Sequence, residues 1–465
     1  MQVPPGHILI SEEEYNQLKS ELSSLRHQLA EFLKRSHKDS TNSHKPPSTD
    51  GLKKKAIKNN QQPSGKKQGG QPGHRGETLQ MVDKPGFKVI HAVEGKCECG
   101  ADLGLAAHVR YNRRQVFDIP MPRVEVTEHL SEVKQCKCGR VHHGEKGTHL
   151  PVQYGNGLYS FAVYLNQYDF IPFKRQQEFW KDLYGMHVSV GMLVKANQQC
   201  SSKLETTFQN IKEQVKSSPV INNDETGIRC NGKTKWVHTS STNDFTCLEM
   251  HPKRGQEAID AIGILPGYKG VSIHDRYSSY DKYECGHGLC NAHLIRDLKF
   301  LHEEEHKAWA GEMIPVLLDA NALKQQDKLA AKIIQNVKDG YDNAIKAGFL
   351  NEPPVPATTE KKRGRKAKPK SLLLLETFKN RKSQVLRFLD DPLVPFTNNL
   401  AERDLRPVKG KQKVSGCFRT DLGAHVYCRI RSYISTVKKH GLPVLDSIRR
   451  AMEGNPVNFG FSNTG

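Results

Sequence analysis

Three acidic residues stand where they could hold divalent cations beside a phosphate group. Asp224 and Asp275 each follow a short apolar run typical of a β-strand, whereas Glu402 lies in a strongly basic stretch. In a sheet with parallel character, the ends of strands present functional side chains at one edge. Two aspartates and a glutamate offer the oxygen ligands that Mg²⁺ prefers. A pair of Mg²⁺ or Mn²⁺ ions held there would activate a water or a 3′-hydroxyl and stabilise the leaving oxygen of an in-line displacement.

The residues around Glu402 predict a helix that lies against phosphate groups. Asn398 is placed to cap the start of this helix, and Pro407 is expected to limit it on the far side. The basic side chains interpreted as DNA contacts are Arg403, Arg406, Lys409, Lys411 and Lys413. The alternative for any single acid in this set is an exposed, solvated carboxylate with no metal.

A repeated cysteine pattern indicates a second kind of metal chemistry. Two pairs share the form Cys-x-Cys-Gly, and their cysteines are Cys97, Cys99, Cys136 and Cys138. Residues 123–128 between them alternate like a strand, and two such turns joined by strands are typical of a zinc ribbon. Four thiolates close a tetrahedral site, so this Zn²⁺ would be structural. Two alternatives stay open: His142 or His143 replaces one ligand, or the four cysteines are unrelated free thiols.

Residues 227–234 formally match a phosphate-binding loop, Gly-x4-Gly-Lys-Thr. Such a loop needs a helix to begin at its Lys-Thr end, so that free amide groups meet the phosphates. The residues that follow alternate like a strand instead, and Asn231-Gly232 is a favoured type I′ turn. We therefore predict two antiparallel strands joined at this turn.

The composition favours a nucleic-acid partner. The chain has 465 residues, with 70 lysine and arginine residues against 50 acidic ones and a net charge of +20. A surplus of this size is typical of proteins that bind polyanions. No apolar run approaches the ~18 residues that a membrane span needs, and the N-terminus lacks a secretory pattern. We therefore expect a cytoplasmic protein without membrane partners.

The elements that position these residues begin with a predicted coiled-coil helix over residues 11–35. Its apolar residues have the 3, 4, 3, 4, 3 spacing of heptads and are Tyr15, Leu18, Leu22, Leu25, Leu29 and Phe32. Ser11 and Glu14 fit a capping box at its start. The stripe favours self-association into a homo-oligomer, and the alternative is a helix packed on its own domain.

The composition divides the rest of an α/β multidomain chain into segments. Residues 36–85 are a basic linker, expected to be disordered, that is either merely solvated or binds phosphates by counterion release. The segments that follow are a zinc ribbon over 86–148, a helical lead-in over 149–215, the first part of the catalytic core over 216–300, a helical insertion with a basic patch over 301–392, a core helix carrying the third acid over 393–425, and a helical tail over 426–465.

Several long motifs resemble the transposases of the bacterial insertion-sequence sixty-six family, which belong to the DDE group. The motifs that carry the resemblance are Asn42-Ser-His-Lys-Pro-Pro-Ser48, Gly69-Gly-Gln-Pro-Gly-His-Arg-Gly76, Arg114-Gln-Val-Phe-Asp-Ile-Pro120, Pro151-Val-Gln-Tyr-Gly155, Asp224-Glu-Thr226 and Pro395-Phe-Thr-Asn-Asn-Leu-Ala-Glu402. The resemblance implies a leucine-zipper-like N-terminus, a zinc-binding module and an RNase H-like catalytic domain with inserted helices. It also implies that Asp224, Asp275 and Glu402 are the catalytic acids.

Two further motifs gain meaning from the resemblance. Cys290-Asn-Ala-His293 is similar to a Cys-x2-His signature between the second and third acids of several DDE groups. The alternatives for it are a buried cysteine with a hydrogen-bonded histidine, or a zinc site completed by Cys285 and His287. Arg296 is a candidate phosphate contact nearby. Arg363-Gly-Arg365 resembles the core of an AT-hook, and a plain basic linker explains it equally well.

The resemblance implies a DNA transposase that cuts at element ends and joins the freed 3′-hydroxyl to target DNA. Its expected partners are the terminal repeats, target DNA, further copies of the chain and small accessory proteins encoded by the same element. Its expected location is the bacterial cytoplasm, at the nucleoid when bound to DNA. Two other functions stay open: a zinc-ribbon DNA-binding regulator with an inactive RNase H-like domain, and a nuclease that cuts without joining.

Overall fold

The computed structural model describes residues 10–36, 73, 78–144, 152–352 and 368–459. They belong to two compact units, one drawn from residues 1–55 and 129–465 and the other from residues 56–128. The motifs at 42–48 and most of 69–76, the basic linker up to residue 72, and the AT-hook-like pair Arg363 and Arg365 lie outside the described residues. None of the described helices is long and apolar enough to cross a membrane.

Helix α1 (Glu12–Ser36) occupies the segment predicted as a coiled coil. Its capping box forms as predicted: the Ser11 amide donates to Glu14 Oε2 at 2.8 Å, and the Glu14 amide donates to Ser11 Oγ at 3.2 Å. All six residues of its heptad stripe are exposed, from Leu22 at 49% to Phe32 at 67%. The helix is therefore observed, and its pairing with a second copy stays a prediction.

The remaining regular elements all lie in the larger unit apart from one short 3₁₀ turn, Leu103–Leu105. In chain order the strands are β1 (Val133–Gln135), β2 (Val141–His143), β3 (Val220–Cys230), β4 (Lys233–Ser241), β5 (Thr246–His251), β6 (Val271–His274) and β7 (Gly286–Leu289). The helices after α1 are α2 (Asn156–Val163), α3 (Phe173–Tyr184), α4 (Val190–Lys203), α5 (Glu205–Ser217), α6 (Gln256–Ile262), α7 (Asn291–Glu305), α8 (Ala308–Gln325), α9 (Ala331–Asn351), α10 (Lys370–Asn380), α11 (Lys382–Val385), α12 (Arg387–Asp390), α13 (Asn399–Ser415), α14 (Asp421–Lys439) and α15 (Val444–Met452). The chain is a mixed α/β protein, as predicted.

Strands β3 to β7 form one mixed sheet in the order β5-β4-β3-β6-β7. Strands β3, β4 and β5 are antiparallel neighbours, whereas β6 and β7 run parallel to β3 on its other side. The turn between β3 and β4 has positive φ at both Asn231 (48°) and Gly232 (69°), as a type I′ turn requires. The predicted hairpin is therefore confirmed, and residues 227–234 do not form a phosphate-binding loop.

The strand predicted at residues 123–128 does not form. These residues have no regular secondary structure, and all of their side chains are exposed. An extended segment becomes a strand only when another segment accepts and donates its backbone hydrogen bonds. No described residue pairs with 123–128, and the two short strands of this region are instead β1 and β2, which pair with each other.

The helices inserted between β7 and the third acid form a core of their own against one side of the sheet. Helices α7 to α10 bury large side chains there, including Trp309, Tyr341 and Phe378, none more than 2% exposed. The Tyr341 hydroxyl donates to the Phe378 carbonyl at 2.8 Å, which ties α9 to α10. The insertion is thus a packed layer that supports strands β6 and β7.

The helical lead-in and the C-terminal tail share a second core, although they are distant in sequence. Trp180, Leu193 and Ile211 of α3 to α5 belong to the same buried cluster as Ile434 of α14 and Ile448 of α15. A serine side chain caps α4, since Ser189 Oγ accepts from the Met192 amide at 3.1 Å. The segments predicted separately as 149–215 and 426–465 therefore pack as one body beside the sheet.

Candidate metal-binding and catalytic site

The parallel pairing of β3 with β6 brings the first two acids to the same level of the sheet. The last pair in register is Asn222 with Ile273, and Asp224 and Asp275 each lie two residues beyond it. Asp275 directly follows β6, as predicted. Asp224 does not end its strand, because β3 continues to Cys230 as one arm of the hairpin with β4.

Local backbone amides orient both aspartates. Asp275 Oδ1 accepts from the amide of Tyr277 at 2.8 Å, in the turn that follows β6. Asp224 Oδ1 accepts from the amide of Glu225 at 2.8 Å. Each carboxylate keeps a second oxygen that these bonds leave available for a ligand.

Glu402 reaches the same place from the first turn of α13. The start of this helix is fixed by Asn398, whose side chain donates to the Asn223 carbonyl at 2.7 Å and accepts from the Asn222 side chain at 2.9 Å. The Asn398 amide donates to Cys290 Sγ at 3.2 Å. Asn398 occupies the predicted cap position, but its side chain ties the helix to β3 instead of capping it.

Helix α13 does not stop near Pro407, contrary to the sequence prediction. Pro407 lies inside the helix, which continues to Ser415. The next residue, Val408, is fully buried in a cluster with Ile228 of β3 and Leu248 of β5. Burial of this face against the sheet offsets the hydrogen bond that the proline lacks.

The electrostatics around Asp224, Asp275 and Glu402 favour a bound cation. Burial, and then the neighbouring carboxylates of Glu225, Asp275 and Glu402, hold the pKa of Asp224 well above its ordinary value. Glu402 Oε1 is buried and has no hydrogen-bond partner among the described residues. Carboxylates gathered in a partly buried place repel one another, and a cation offsets that repulsion, so the donor set of Asp224, Asp275 and Glu402 fits divalent cations.

A second buried acid beside Asp224 was not singled out from the sequence. Glu225 accepts from Arg254 Nε at 2.7 Å and from the Tyr280 hydroxyl at 2.6 Å. The Arg254 guanidinium lies over the rings of Tyr277 and Trp236, at 4.2 and 4.9 Å from their centres. Burial raises the pKa of Glu225, and the bonds from Tyr280 and Arg254 oppose that rise. Glu225 is therefore engaged by two side-chain partners, whereas Asp224 and Asp275 accept from backbone amides.

The Cys-x2-His motif lies against the third acid. Cys290, His293 and Glu402 place one ligand atom each within 4.8 Å of one another, and His293 Nε2 lies 3.8 Å from Glu402 Oε1. Cys285 and His287 do not join this group, and His287 Nδ1 instead lies 2.9 Å from His274 Nε2. The predicted alternative of a zinc site completed by Cys285 and His287 is therefore wrong.

The basic residues of α13 fall into two classes. Arg403, Arg406, Lys409 and Lys413 are exposed, although Lys409 Nζ also donates to the Gly227 carbonyl at 2.5 Å. Lys411 is only 8% exposed and donates to the Asn166 carbonyl at 3.0 Å. Burial lowers the pKa of Lys411 to about 8. The prediction that Lys411 contacts DNA is wrong, because its ammonium group points into the protein.

The remaining predicted contact residue, Arg296, lies on α7 one turn after His293 and is half-buried. The two Arg residues of the AT-hook-like motif, Arg363 and Arg365, lie outside the described part of the chain. The assignment of these three residues to DNA stays a prediction.

Both cysteine pairs form the same tight turn, each in its own unit. In the smaller unit the Cys97 amide donates to the Ala101 carbonyl at 2.9 Å, and in the larger unit the Cys136 amide donates to the Arg140 carbonyl at 2.7 Å. Hydrogen bonds from Cys99 lower the pKa of Cys97, and bonds from Cys138 lower that of Cys136. A lower pKa favours the thiolate that binds zinc. A zinc site shared by the two cysteine pairs stays a prediction.

Comparison with protein families gives two matches. The model described as "Transposase IS66 family" matches residues 151–426, which is more than half of the chain and includes all three acids. A family of unknown function, DUF6444, matches residues 4–80, which include α1. No curated protein matches the chain.

Proposed function

The chain belongs to the IS66 family of transposases, and from this premise we propose that it is a DDE-type DNA transposase. It cuts DNA at the ends of its insertion element and transfers the freed 3′-hydroxyl to target DNA. The observation that carries this proposal is the meeting of Asp224, Asp275 and Glu402, which come from three separate parts of the chain, at one partly buried position beside the sheet.

We assign the catalytic domain to the RNase H-like class. The mixed sheet supports this assignment, since three antiparallel strands continue into two parallel ones and the acids lie on the central strand β3 and directly after its parallel neighbour β6. The third acid comes from a later helix, after an inserted helical layer. This layout accounts for the long interval between Asp275 and Glu402.

The chain's own residues position the reaction. Asp224, Asp275 and Glu402 would hold two Mg²⁺ or Mn²⁺ ions, which would supply Lewis-acid stabilisation of the phosphate oxygens and activate the attacking water or 3′-hydroxyl. Asn398 fixes Glu402 to the strand that carries Asp224. Arg254 donates a hydrogen bond to the Glu225 carboxylate, so that Glu225 does not compete with the three acids for the cations. No covalent intermediate between protein and DNA is needed.

A basic track along α13 guides DNA to the acids. Glu402, Arg406, Lys409 and Lys413 are separated by 4, 3 and 4 residues and therefore share one face of the helix. The three basic side chains are exposed. Phosphates bound along this face lead directly to the carboxylate at its end, and Arg403 and Arg296 flank the same region.

The other parts of the chain recognise ends and assemble the complex. Cys97, Cys99, Cys136 and Cys138 would hold a structural Zn²⁺, and this module and the basic linker bind the terminal repeats. Helix α1 pairs protomers through its exposed stripe, so that two element ends are held together. Small accessory proteins of the same element assist, and the protein works in the bacterial cytoplasm at the nucleoid.

The zinc module has a direct test in end binding. Cys97→Ala and Cys136→Ala each remove a thiolate and should abolish specific binding to the element's ends, measured by gel shift against unrelated DNA. Cys417→Ala, which removes an exposed cysteine outside the two pairs, is the matched control and should leave binding unchanged. End binding by both module variants at the wild-type level would refute this role.

Two rival functions share the charge and the cysteines: a DNA-binding regulator with an inactive catalytic domain, and a nuclease that cuts without joining. The deciding experiment supplies pre-cut element ends and a target plasmid with Mg²⁺ or Mn²⁺, with and without neighbouring accessory proteins. A transposase joins the ends to the plasmid. Binding without cutting or joining would favour the regulator, and cutting of intact ends without joining would favour the nuclease.

A further inference from the structure

A mixed cysteine–histidine–glutamate group lies next to the proposed magnesium site. Cys290 immediately precedes α7, His293 stands in the first turn of that helix, and Glu402 stands in the first turn of α13. Their ligand atoms lie within 4.8 Å of one another. The two helix starts are joined by the hydrogen bond from the Asn398 amide to Cys290 Sγ, so both sides of the group are anchored to the same framework.

Within this group, the separation between the His293 and Glu402 side chains is close to that expected around a tetrahedral zinc ion. Ligand atoms at the usual Zn–N, Zn–O and Zn–S distances are about 3.4 to 3.6 Å apart at the tetrahedral angle. His293 Nε2 and Glu402 Oε1 are 3.8 Å apart. The other separations in the group are at most 4.8 Å, so closing them to tetrahedral values requires side-chain shifts of up to about 1.2 Å.

The burial of the group supports a bound ion independently of its spacing. Cys290 is 1% exposed, and the Glu402 Oε1 atom is buried with no hydrogen-bond partner among the described residues. A buried carboxylate oxygen without a donor is costly, and a cation at this position would satisfy it. The same oxygen is the one that faces His293.

We propose that Cys290, His293 and Glu402 bind one Zn²⁺ or similar transition-metal ion through three protein ligands, with a fourth position open. The thiolate and imidazole select this ion over Mg²⁺, which takes oxygen ligands only. The site is distinct from the four-cysteine module, whose ligands lie elsewhere in the chain. In the proposed transposase Glu402 also serves the magnesium pair, so a soft metal holds the third acid in place; this last step rests on the proposed function.

Cobalt titration of the full-length protein tests the site without any assay of activity. Co²⁺ reports cysteine coordination through a sulfur-to-metal absorption band, and the four module cysteines are unchanged in every variant. Wild type should bind one more Co²⁺ per chain than Cys290→Ser or His293→Gln, with the corresponding loss of absorption. Glu402→Gln should weaken the same site at least tenfold. The matched control is Cys285→Ser, which changes a buried cysteine outside the group and should bind as wild type does.

Equal Co²⁺ binding by wild type, Cys290→Ser and His293→Gln would overturn the proposal. Circular dichroism checks that each variant is folded. If Cys290→Ser does not fold, His293→Gln decides, since the His293 side chain is 18% exposed and tolerates a polar replacement more readily. Zn²⁺ competing for the cobalt site with higher affinity supports the proposal further. A chain that binds this metal but joins no DNA would leave the site standing and refute only the proposed function.

Discussion

At the scale of single residues, neighbouring acids on β3 have different partners and therefore different tasks. Glu225 is bound by Arg254 and Tyr280, whereas the pKa of Asp224 is raised by burial and by the carboxylates around it. The pairing with Arg254 compensates the charge of Glu225, whereas the charge of Asp224 is uncompensated among other carboxylates, which supports the proposal that Asp224 is a cation ligand. This distinction depends on contacts between residues far apart in the chain.

Glu225→Gln tests that distinction. The glutamine can still accept from Tyr280 but removes the negative partner of Arg254, so joining should slow by about 10- to 100-fold, as for partners that support a metal ligand. Asp224→Asn should leave no detectable joining. The measurement is the initial rate of joining at saturating Mg²⁺. Equal losses in the two variants would mean that Glu225 is itself a cation ligand.

The sequence predicted the three acids but not the residues that hold them. Asp224 and Asp275 can be identified from the sequence because apolar runs precede them, and Glu402 can be identified because basic residues surround it. The bond between Asn222 and Asn398 spans 176 positions, and no local pattern signals a contact of that range. The ion pair between Glu225 and Arg254 could not be predicted from the sequence for the same reason.

At the scale of elements, the start of α13 decides where the third acid lies. Asn398 is 1% exposed and bridges to β3, whereas the next residue, Asn399, is exposed. The two asparagines therefore form a matched pair for mutation. Asn398 is the N-cap residue, as predicted, but its side chain bonds to β3 and not to the helix, and the stop predicted at Pro407 is wrong, because tertiary contacts outweigh local preference at both positions.

Asn398→Ala should lower the free energy of unfolding by about 1–3 kcal/mol, because it leaves buried polar groups of β3 unpaired. Asn399→Ala should change it by less than about 0.5 kcal/mol, as exposed substitutions usually do. Urea unfolding followed by circular dichroism measures both values. Equal values for the two variants would show that the side chain of Asn398 does not anchor the helix.

Two lysines of α13 separate DNA binding from structure. Lys413 is exposed on the basic track, and Lys411 is buried against the Asn166 carbonyl. Lys413→Met should reduce the slope of log affinity against log salt by about 1, since one phosphate contact is lost. Lys411→Met should leave that slope unchanged. Fluorescence anisotropy with a labelled duplex measures the slopes, and a reduced slope for Lys411→Met alone would reverse the assignment.

At the scale of the whole molecule, the chain combines a packed α/β body with helix α1, whose apolar stripe is exposed. The helices before the sheet and the helices after α13 share one hydrophobic core. Sequence patterns could not predict this packing, because the apolar face of an amphipathic helix does not specify which element it packs against. The β3–β4 hairpin was predictable because its turn is encoded by two adjacent residues. The heptad stripe of α1 was predictable for the same reason, since its spacing is local in sequence. Its six exposed side chains are consistent with a partner from another copy.

Leu22→Glu should dissociate the assembly, because a charge in the middle of a heptad seam removes apolar contact and is buried without a partner. Ser23→Glu, which places the same charge beside the stripe, should leave the assembly intact. Sedimentation at several protein concentrations measures the masses. A wild-type chain that is monomeric throughout would contradict pairing through α1.

The central claim is that Asp224, Asp275 and Glu402 together carry out DNA joining. The most direct measurement is metal-dependent joining of pre-cut element ends by wild type, Asp224→Asn, Asp275→Asn and Glu402→Gln, with Glu257→Gln, an exposed acid on α6, as control. The account predicts joining by wild type and the control, and none by the three variants although each still binds the ends. Joining that survives at any one of the three positions would contradict the assignment of that acid.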